Sequence, residues 1–144
     1  MLDLTFKAMV FAREKHAGQV RKYTGEPYHA HLAEVAGLVA SVHLSTIAIA
    51  TAWLHDVVED CDVDVRTIHH FFGVSVAYGV EMLSDMESGN RKERKRLSRE
   101  RLAGAEGWVQ TIKCADLISN TSSIVRNDPK FAEVYLEEKR LLLE

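Results

Sequence analysis

Residues 45–60 read Ser45-Thr46-Ile47-Ala48-Ile49-Ala50-Thr51-Ala52-Trp53-Leu54-His55-Asp56-Val57-Val58-Glu59-Asp60. A stretch of small and apolar residues turns abruptly into one imidazole and three carboxylates. Extended backwards, the uncharged run begins at Val35, so Val35–Leu54 is about as long as a membrane span requires. Gly37, Ser41, His43, Ser45, Thr46 and Thr51 interrupt it, however, and it runs straight into His55-Asp56. Two buried helices that meet near Leu44-Ser45 account for it better than a span does.

The rest of the chain repeats that helical period, with apolar residues three and four apart and almost no sustained alternation of the strand kind. The spacing predicts a helix over Leu4–His16, with Phe6, Met9, Val10 and Ala17 on one stripe. Gly18–Pro27 reads as an ordered, charged turn. Helices follow at about His29–His43, Ser45–Asp60, Val63–Phe72 with Gly73 as its stop, and Ser75–Ser84. After a polar break at Glu87–Asn90, the segment Arg91–Arg101 packs seven Lys/Arg into eleven residues. A long helix then covers about Gly107–Arg126, and Asp128-Pro129 reads as an N-cap with proline at the first position of a last helix to Leu143. The expectation is an all-α fold.

The chain has 144 residues, 47% hydrophobic, with 2 Pro and 8 Gly. At that size about 68–70% of the unfolded surface is buried on folding. A single domain over residues 1–144 is expected, with no room for a second. The net charge of −3 creates no global field for nucleic acid or an anionic membrane, so neither is an expected partner. Cys61 and Cys114 cannot make a disulfide framework, which points to a reducing cytoplasm. Met1-Leu2-Asp3-Leu4 has no secretory character.

On a continuous helix His55 stacks over Glu59, and Asp56 over Asp60, because positions four apart share a face. Crowded carboxylates repel unless something positive lies among them, and a divalent cation with N and O ligands meets that need. The alternative is a solvated acidic helix end. That alternative is weakened because acids at a helix C-terminus oppose the macrodipole by roughly 0.3–1 kcal/mol each. Two more residues offer themselves as partners. One is His31, on the helix after the charged turn; the other is Asp116, an acid set among Ile112, Cys114, Ala115, Leu117 and Ile118. A buried lone Asp must either raise its pKa or find a cation. His31, His55, Asp56 and Asp116 thus form a two-His, two-carboxylate set drawn from three helices.

With that ordered set, the chain resembles the HD-domain metal-dependent phosphohydrolases, and within them the hydrolase domain of the RelA/SpoT family in its stand-alone form, the small alarmone hydrolases. The resemblance runs from Phe11-Ala12-Arg13-Glu14-Lys15-His16 through Gly18-Gln19-Val20-Arg21-Lys22-Tyr23-Thr24-Gly25-Glu26-Pro27-Tyr28 and His31. It continues through Trp53–Asp60 to Lys113-Cys114-Ala115-Asp116 and Asn120. It implies an HD-domain helical bundle of about seven to eight helices. It also implies a manganese ion held by His31, His55, Asp56 and Asp116, although the ligand types accept Fe or Zn as well. Glu59 and Asp60 match the family's Glu-Asp pair, which orients and deprotonates the attacking water. A divalent ion brings water's pKa from 15.7 to about 7–10, within reach of a carboxylate base.

The same resemblance places Arg21 and Lys22 against the nucleotide base, and a planar guanidinium stacks on guanine or adenine about equally well. Asn120 matches a contact on the ribose side, and Ser123 stands where relatives often have Thr. Tyr28 and Pro27 are read as shaping the turn. The chain departs from the pattern at Leu32, where Pro commonly follows the metal His, and at Cys114 and Leu117-Ile118-Ser119, where relatives often carry Leu and Arg-Leu-His.

The basic helix has the look of a solvated surface, with Glu93 and Glu100 as local partners. It is also the one dense cationic segment of a net acidic chain, so Arg91, Lys92 and Lys95 are candidate phosphate contacts. His29, His43, His69 and His70 are read as non-ligands, and His16 as a neighbour of the Arg21 turn. Trp53 and Trp108 are read as core or interface aromatics, and both cysteines as small buried residues. The last helix is read as core or as a self-association surface, which leaves a homo-oligomer open. The leading functional reading is a 3′-pyrophosphohydrolase of guanosine alarmones (ppGpp and pppGpp) that only degrades. Two other readings stand beside it. The same centre could act on adenosine alarmones or on the 2′-phosphate of NADPH, or the chain could be a catalytically silent nucleotide-binding module, which should have lost a ligand or the Glu-Asp pair.

Overall fold

The computed structural model describes residues 3–144, so Met1 and Leu2 of the segment read for a secretory signal lie outside it. Among the described residues the chain forms nine helical segments: α1 (Leu4–Lys15), α2 (His29–Val42), α3 (Thr46–Leu54), α4 (Val57–Asp60), α5 (Val65–Phe72), α6 (Val74–Leu83), α7 (Arg91–Ala103), α8 (Gly107–Asn127) and α9 (Pro129–Leu143). The architecture is all-α, and the sole β feature among these residues is an isolated bridge between Val20 and Pro27. No helix of the described chain is long and apolar enough to cross a membrane.

Side-chain caps start several of the helices. Ser45 starts α3 by accepting from the Ala48 N–H, and Asn90 starts α7 by accepting from Glu93. Asp128 starts α9, with Pro129 at the first turn. Gly73 ends α5 with φ +92°, a conformation that favours glycine.

One prediction fails in an informative way. The expected continuous helix over residues 45–60 ends at Leu54, and His55-Asp56 forms a break before the single turn α4. Asp56 sits at φ −104°, ψ −1°, in the bridge region. No glycine or proline marks this break in the sequence.

Two apolar clusters share the central pair α2 and α3. One joins Leu32, Leu54, Val57, Ile68 and Val80 beneath α1, α5 and α6. The other joins Val35, Val39, Ala52, Leu102, Val109 and Ile112 beneath α7 and α8. Trp53 packs against both. Each fully buried aliphatic side chain contributes about 1.5–3 kcal/mol, so α2 and α3 are held on both sides and present the site rigidly. The cysteines differ from expectation: Cys61 is half-buried and Cys114 exposed.

Where α6 crosses α3 and α8, Gly79 makes room for an indole. A Cβ at that position would lie 2.6 Å from Trp108 Cη2 and 2.7 Å from Thr51 Cγ2. Gly79→Ala is therefore expected to destabilise the fold by about 1–3 kcal/mol through overpacking, despite its better helix propensity. Thermal unfolding checks this, and a melting temperature equal to or above that of the parent chain contradicts the packing described.

Candidate metal centre and cleft

The break after α3 gives two adjacent residues a common target. On an unbroken helix the side chains of residues 55 and 56 would diverge by about 100°. Here His55 Nε2 and Asp56 Oδ2 lie 3.1 Å apart. From α8, Asp116 Oδ1 comes within 3.2 Å of His55 Nε2 and 3.1 Å of His31 Nε2. His31, from α2, has its Nε2 3.6 Å from Asp56 Oδ2. One ligand atom from each of the four residues lies within 4.8 Å of every other. His29 is not part of this group; His31 is.

The outer hydrogen bonds fix which nitrogen faces inward. His55 Nδ1 donates to the Ala52 carbonyl at 2.6 Å. His31 Nδ1 and Ser119 Oγ share a hydrogen bond at 2.8 Å, and the same hydroxyl accepts Arg21 Nη1 at 3.2 Å. With each Nδ1 engaged on the outside, the Nε2 of each ring faces the carboxylates. His31 Nε2 is buried and makes no hydrogen bond. Two imidazole nitrogens and two carboxylate oxygens converging this closely need positive charge among them, and a divalent cation with N and O ligands fits that donor set. The imidazole-carboxylate mixture suits Mn²⁺, Fe²⁺ or Zn²⁺.

Without a cation, protons on the two imidazoles would balance the same carboxylates, and a bound divalent ion would take their place. Burial opposes charge on His31 and His55, yet the carboxylates of Asp56 and Asp116 outweigh it and raise both imidazoles. Burial alone would raise Asp116, but the Lys113 ammonium and the imidazoles hold it well below the usual carboxylate range. Asp56 is likewise held low against burial, chiefly by His55. Each carboxylate has a further partner. Lys113 Nζ donates to Asp116 Oδ2 at 3.0 Å, Asn120 Nδ2 to Asp116 Oδ1 at 3.0 Å, and Tyr28 Oη to Asp56 Oδ2 at 2.5 Å.

A cleft of about 340 Å³ opens over this group. Glu59, Asp60 and Asp85 line it together with Arg91, Lys95, Lys113, Lys139, Asn120, Phe131 and Tyr135. A larger hollow of about 640 Å³, beside Val63, Met86 and Arg101, contains none of the four converging residues. Glu59 stands on the cleft wall. Desolvation by the surrounding protein, then the charges of Asp56 and Asp85, raise it to about 7. Asp60 is raised for similar reasons, and its Oδ2 accepts Gln19 Nε2 at 3.3 Å.

The other candidates divide. Arg21 reaches across from its turn to donate to Ser119 and, through Nη2 at 3.1 Å, to Asn120 Oδ1. Lys22 is exposed, with its ammonium over the Tyr23 ring. Arg91 and Lys95 line the cleft, whereas Lys92 and Ser123 do not. Arg91 forms a bidentate pair with Glu138 at 2.8 and 2.9 Å. Lys95 lies 3.7 Å from Asp85.

Several residues of the site were not singled out from the sequence. Tyr28, read as a turn-shaping residue, bonds the metal-set carboxylate. Ser119, noted only as a departure, orients His31. Lys113 precedes Asp116 by three positions, a helical pairing that could have been anticipated. Lys139 had no such signal; burial and the neighbouring Lys95 and Lys113 push it down to about 8.

A profile of the HD domain family matches residues 8–114, and the chain belongs to that family. The profile ends two residues before Asp116, whose inclusion in the group rests on the geometry. Among similar proteins, a GTP pyrophosphokinase rsh of Brucella ovis is 32% identical over 132 residues, covering 86% of this chain and 18% of that protein. A guanosine-3′,5′-bis(diphosphate) 3′-pyrophosphohydrolase of Vibrio cholerae is 38% identical over 94 residues, covering 65% of this chain and 13% of that one. A probable enzyme of the same name from Synechocystis is 36% identical over 133 residues, covering 88% and 17%. The chain thus spans less than a fifth of the length of these relatives. A solved structure described as a metazoan ortholog of SpoT that hydrolyzes ppGpp and plays a role in starvation responses superposes with a TM-score of 0.87 at 28% identity, over 99% of this chain and 84% of that one.

Removing one of four inward donors should cripple cation uptake. Asp116→Ala is expected to bind Mn²⁺ at least about 100-fold more weakly than the parent, beyond the 10–100-fold scale of outer-shell changes. Calorimetric titration with elemental analysis checks this, and full loading of the variant contradicts the assignment.

Proposed function

We propose that this chain hydrolyses the 3′-diphosphate of guanosine alarmones, releasing pyrophosphate and leaving GDP from ppGpp or GTP from pppGpp. The observation that carries the reading is the convergence of His31, His55, Asp56 and Asp116 on one point, with Glu59 beside it and a cationic wall opposite. The names of the Vibrio and Synechocystis relatives, and that of the solved metazoan structure, support the substrate class.

The four residues are read as holding a divalent ion, with Mn²⁺ as the first choice. When bound, such an ion lowers the pKa of water toward neutrality and offsets charge on phosphoryl oxygens. Glu59 accepts the proton of the attacking water, and Asp60, held by Gln19, orients that water. The O3′–P bond breaks, the water oxygen stays with pyrophosphate, and O3′ leaves with a proton as the ribose hydroxyl. Arg21 offers its guanidinium plane to the base, steadied by Ser119 and Asn120. Arg91, Lys95 and Lys139 face the phosphates. Their charge allows a highly anionic ligand to enter a cleft whose floor is acidic.

Glu59 must be ionised to act as a base. With its carboxyl raised to about 7 by the protein, and pulled lower by any bound cation, kcat/KM is expected to rise with pH along an acidic limb whose midpoint is at or below about 7. Glu59→Gln should keep metal, abolish that limb and lower kcat by about 10²–10⁴-fold. Stopped assays across pH check both, and unchanged turnover removes Glu59 from the mechanism. A substrate panel with Mn²⁺ tests the class: pyrophosphate release from ppGpp should exceed that from adenosine alarmones and phosphate release from NADPH. Turnover of NADPH alone would favour the second reading, and no turnover of any would favour a silent nucleotide-binding module.

A further inference from the structure

Arg101 is the last arginine of the basic helix, and it does not behave like the others. Its side chain is 17% exposed and turns inward from α7. Nε donates to the Met82 carbonyl at 2.8 Å, Nη2 to Asp85 Oδ1 at 2.6 Å, and Nη1 pairs with Glu87. These three acceptors span the end of α6 and the irregular segment after it. Ser98, one turn earlier on α7, adds a bond from its hydroxyl to the same Asp85 oxygen at 2.9 Å. The segment has no helical hydrogen-bond ladder of its own, so α7 holds it largely through these side chains.

That segment touches the proposed base. The backbone N–H of Asp85 donates to Glu59 Oε2 at 3.2 Å. α4, which carries Glu59, is a single turn. We infer that Arg101 is a positioning residue for Glu59: it ties the segment 84–87 to the end of α6, and the segment's Asp85 N–H fixes the carboxylate over the cleft. A planar guanidinium bonds the Met82 carbonyl and Asp85 at set angles and pairs with Glu87, a geometry that a lysine cannot reproduce. The inference rests on the reading of Glu59 as the base, and a misplacement of about 1 Å in such a group costs about 100-fold in rate.

The test uses the full chain with Arg101→Gln, Glu59→Gln and the double variant. Hydrogen exchange of the Asp85 amide, which needs no turnover, should accelerate about tenfold or more in Arg101→Gln while the melting temperature stays within a few degrees. In the Mn²⁺-loaded enzyme, Arg101→Gln should lower kcat about 10–100-fold with KM little changed, Arg101→Lys should not restore it, and the double variant should be no slower than Glu59→Gln alone. An unchanged amide exchange rate overturns the strut. So does a faster amide with normal kcat, or a rate loss that multiplies on the Glu59→Gln background. Absence of turnover in the parent chain would instead overturn the functional reading, and with it any catalytic role for Arg101.

Discussion

Two carboxylates and two imidazole nitrogens point at one another inside a low-dielectric bundle, and the rest of the structure is arranged around that confrontation. Asp56 and Asp116 would repel across so short a gap, and the inward nitrogen of His31 is buried without a hydrogen bond. Positive charge at the centre resolves the conflict. The outer contacts all push in the same direction. Ala52 and Ser119 hold the two rings by Nδ1, Lys113 bonds the outer oxygen of Asp116, and Tyr28 and Asn120 bond the inward oxygens of Asp56 and Asp116.

The arrangement depends on a helix that stops at Leu54, just before His55. Had α3 continued, His55 and Asp56 could not both face α8. Its break converts a neighbouring pair into a convergent one, and the short α4 then carries Glu59 and Asp60 along the cleft wall. The turn before α2 contributes in a different way. The Val20–Pro27 bridge closes it, and Arg21 crosses from it to Ser119, so the chain Arg21–Ser119–His31 connects this turn to the four converging residues.

Much of this was legible in the sequence because helical periodicity and capping residues are local properties. The ends of α2, α8 and α9 fall within a few residues of where Asp128, Pro129 and the apolar stripes place them, and α7 starts where the polar break at Glu87–Asn90 ends. His31, His55, Asp56 and Asp116 were legible as a set because charged and imidazole groups stand out against buried apolar surroundings. The break at His55-Asp56 was not, since tertiary contacts impose it without glycine or proline. The roles of Tyr28, Ser119 and Arg101 were equally hidden. A phenol, a hydroxyl and one arginine among seven basic residues acquire meaning only from partners 28, 88 and 16 positions away. The basic helix therefore does two jobs that composition alone cannot separate. Arg91 and Lys95 face the cleft, and Arg101 braces its wall.

The account stands on a cation at the meeting point of α2, the α3–α4 break and α8. Anomalous X-ray diffraction from crystals of the chain grown with Mn²⁺ addresses it most directly. The account predicts a single strong peak between His31 Nε2, His55 Nε2, Asp56 Oδ2 and Asp116 Oδ1, at coordination distance from all four. A peak elsewhere, or a direct hydrogen-bonded contact between these side chains with no metal density among them, would contradict it.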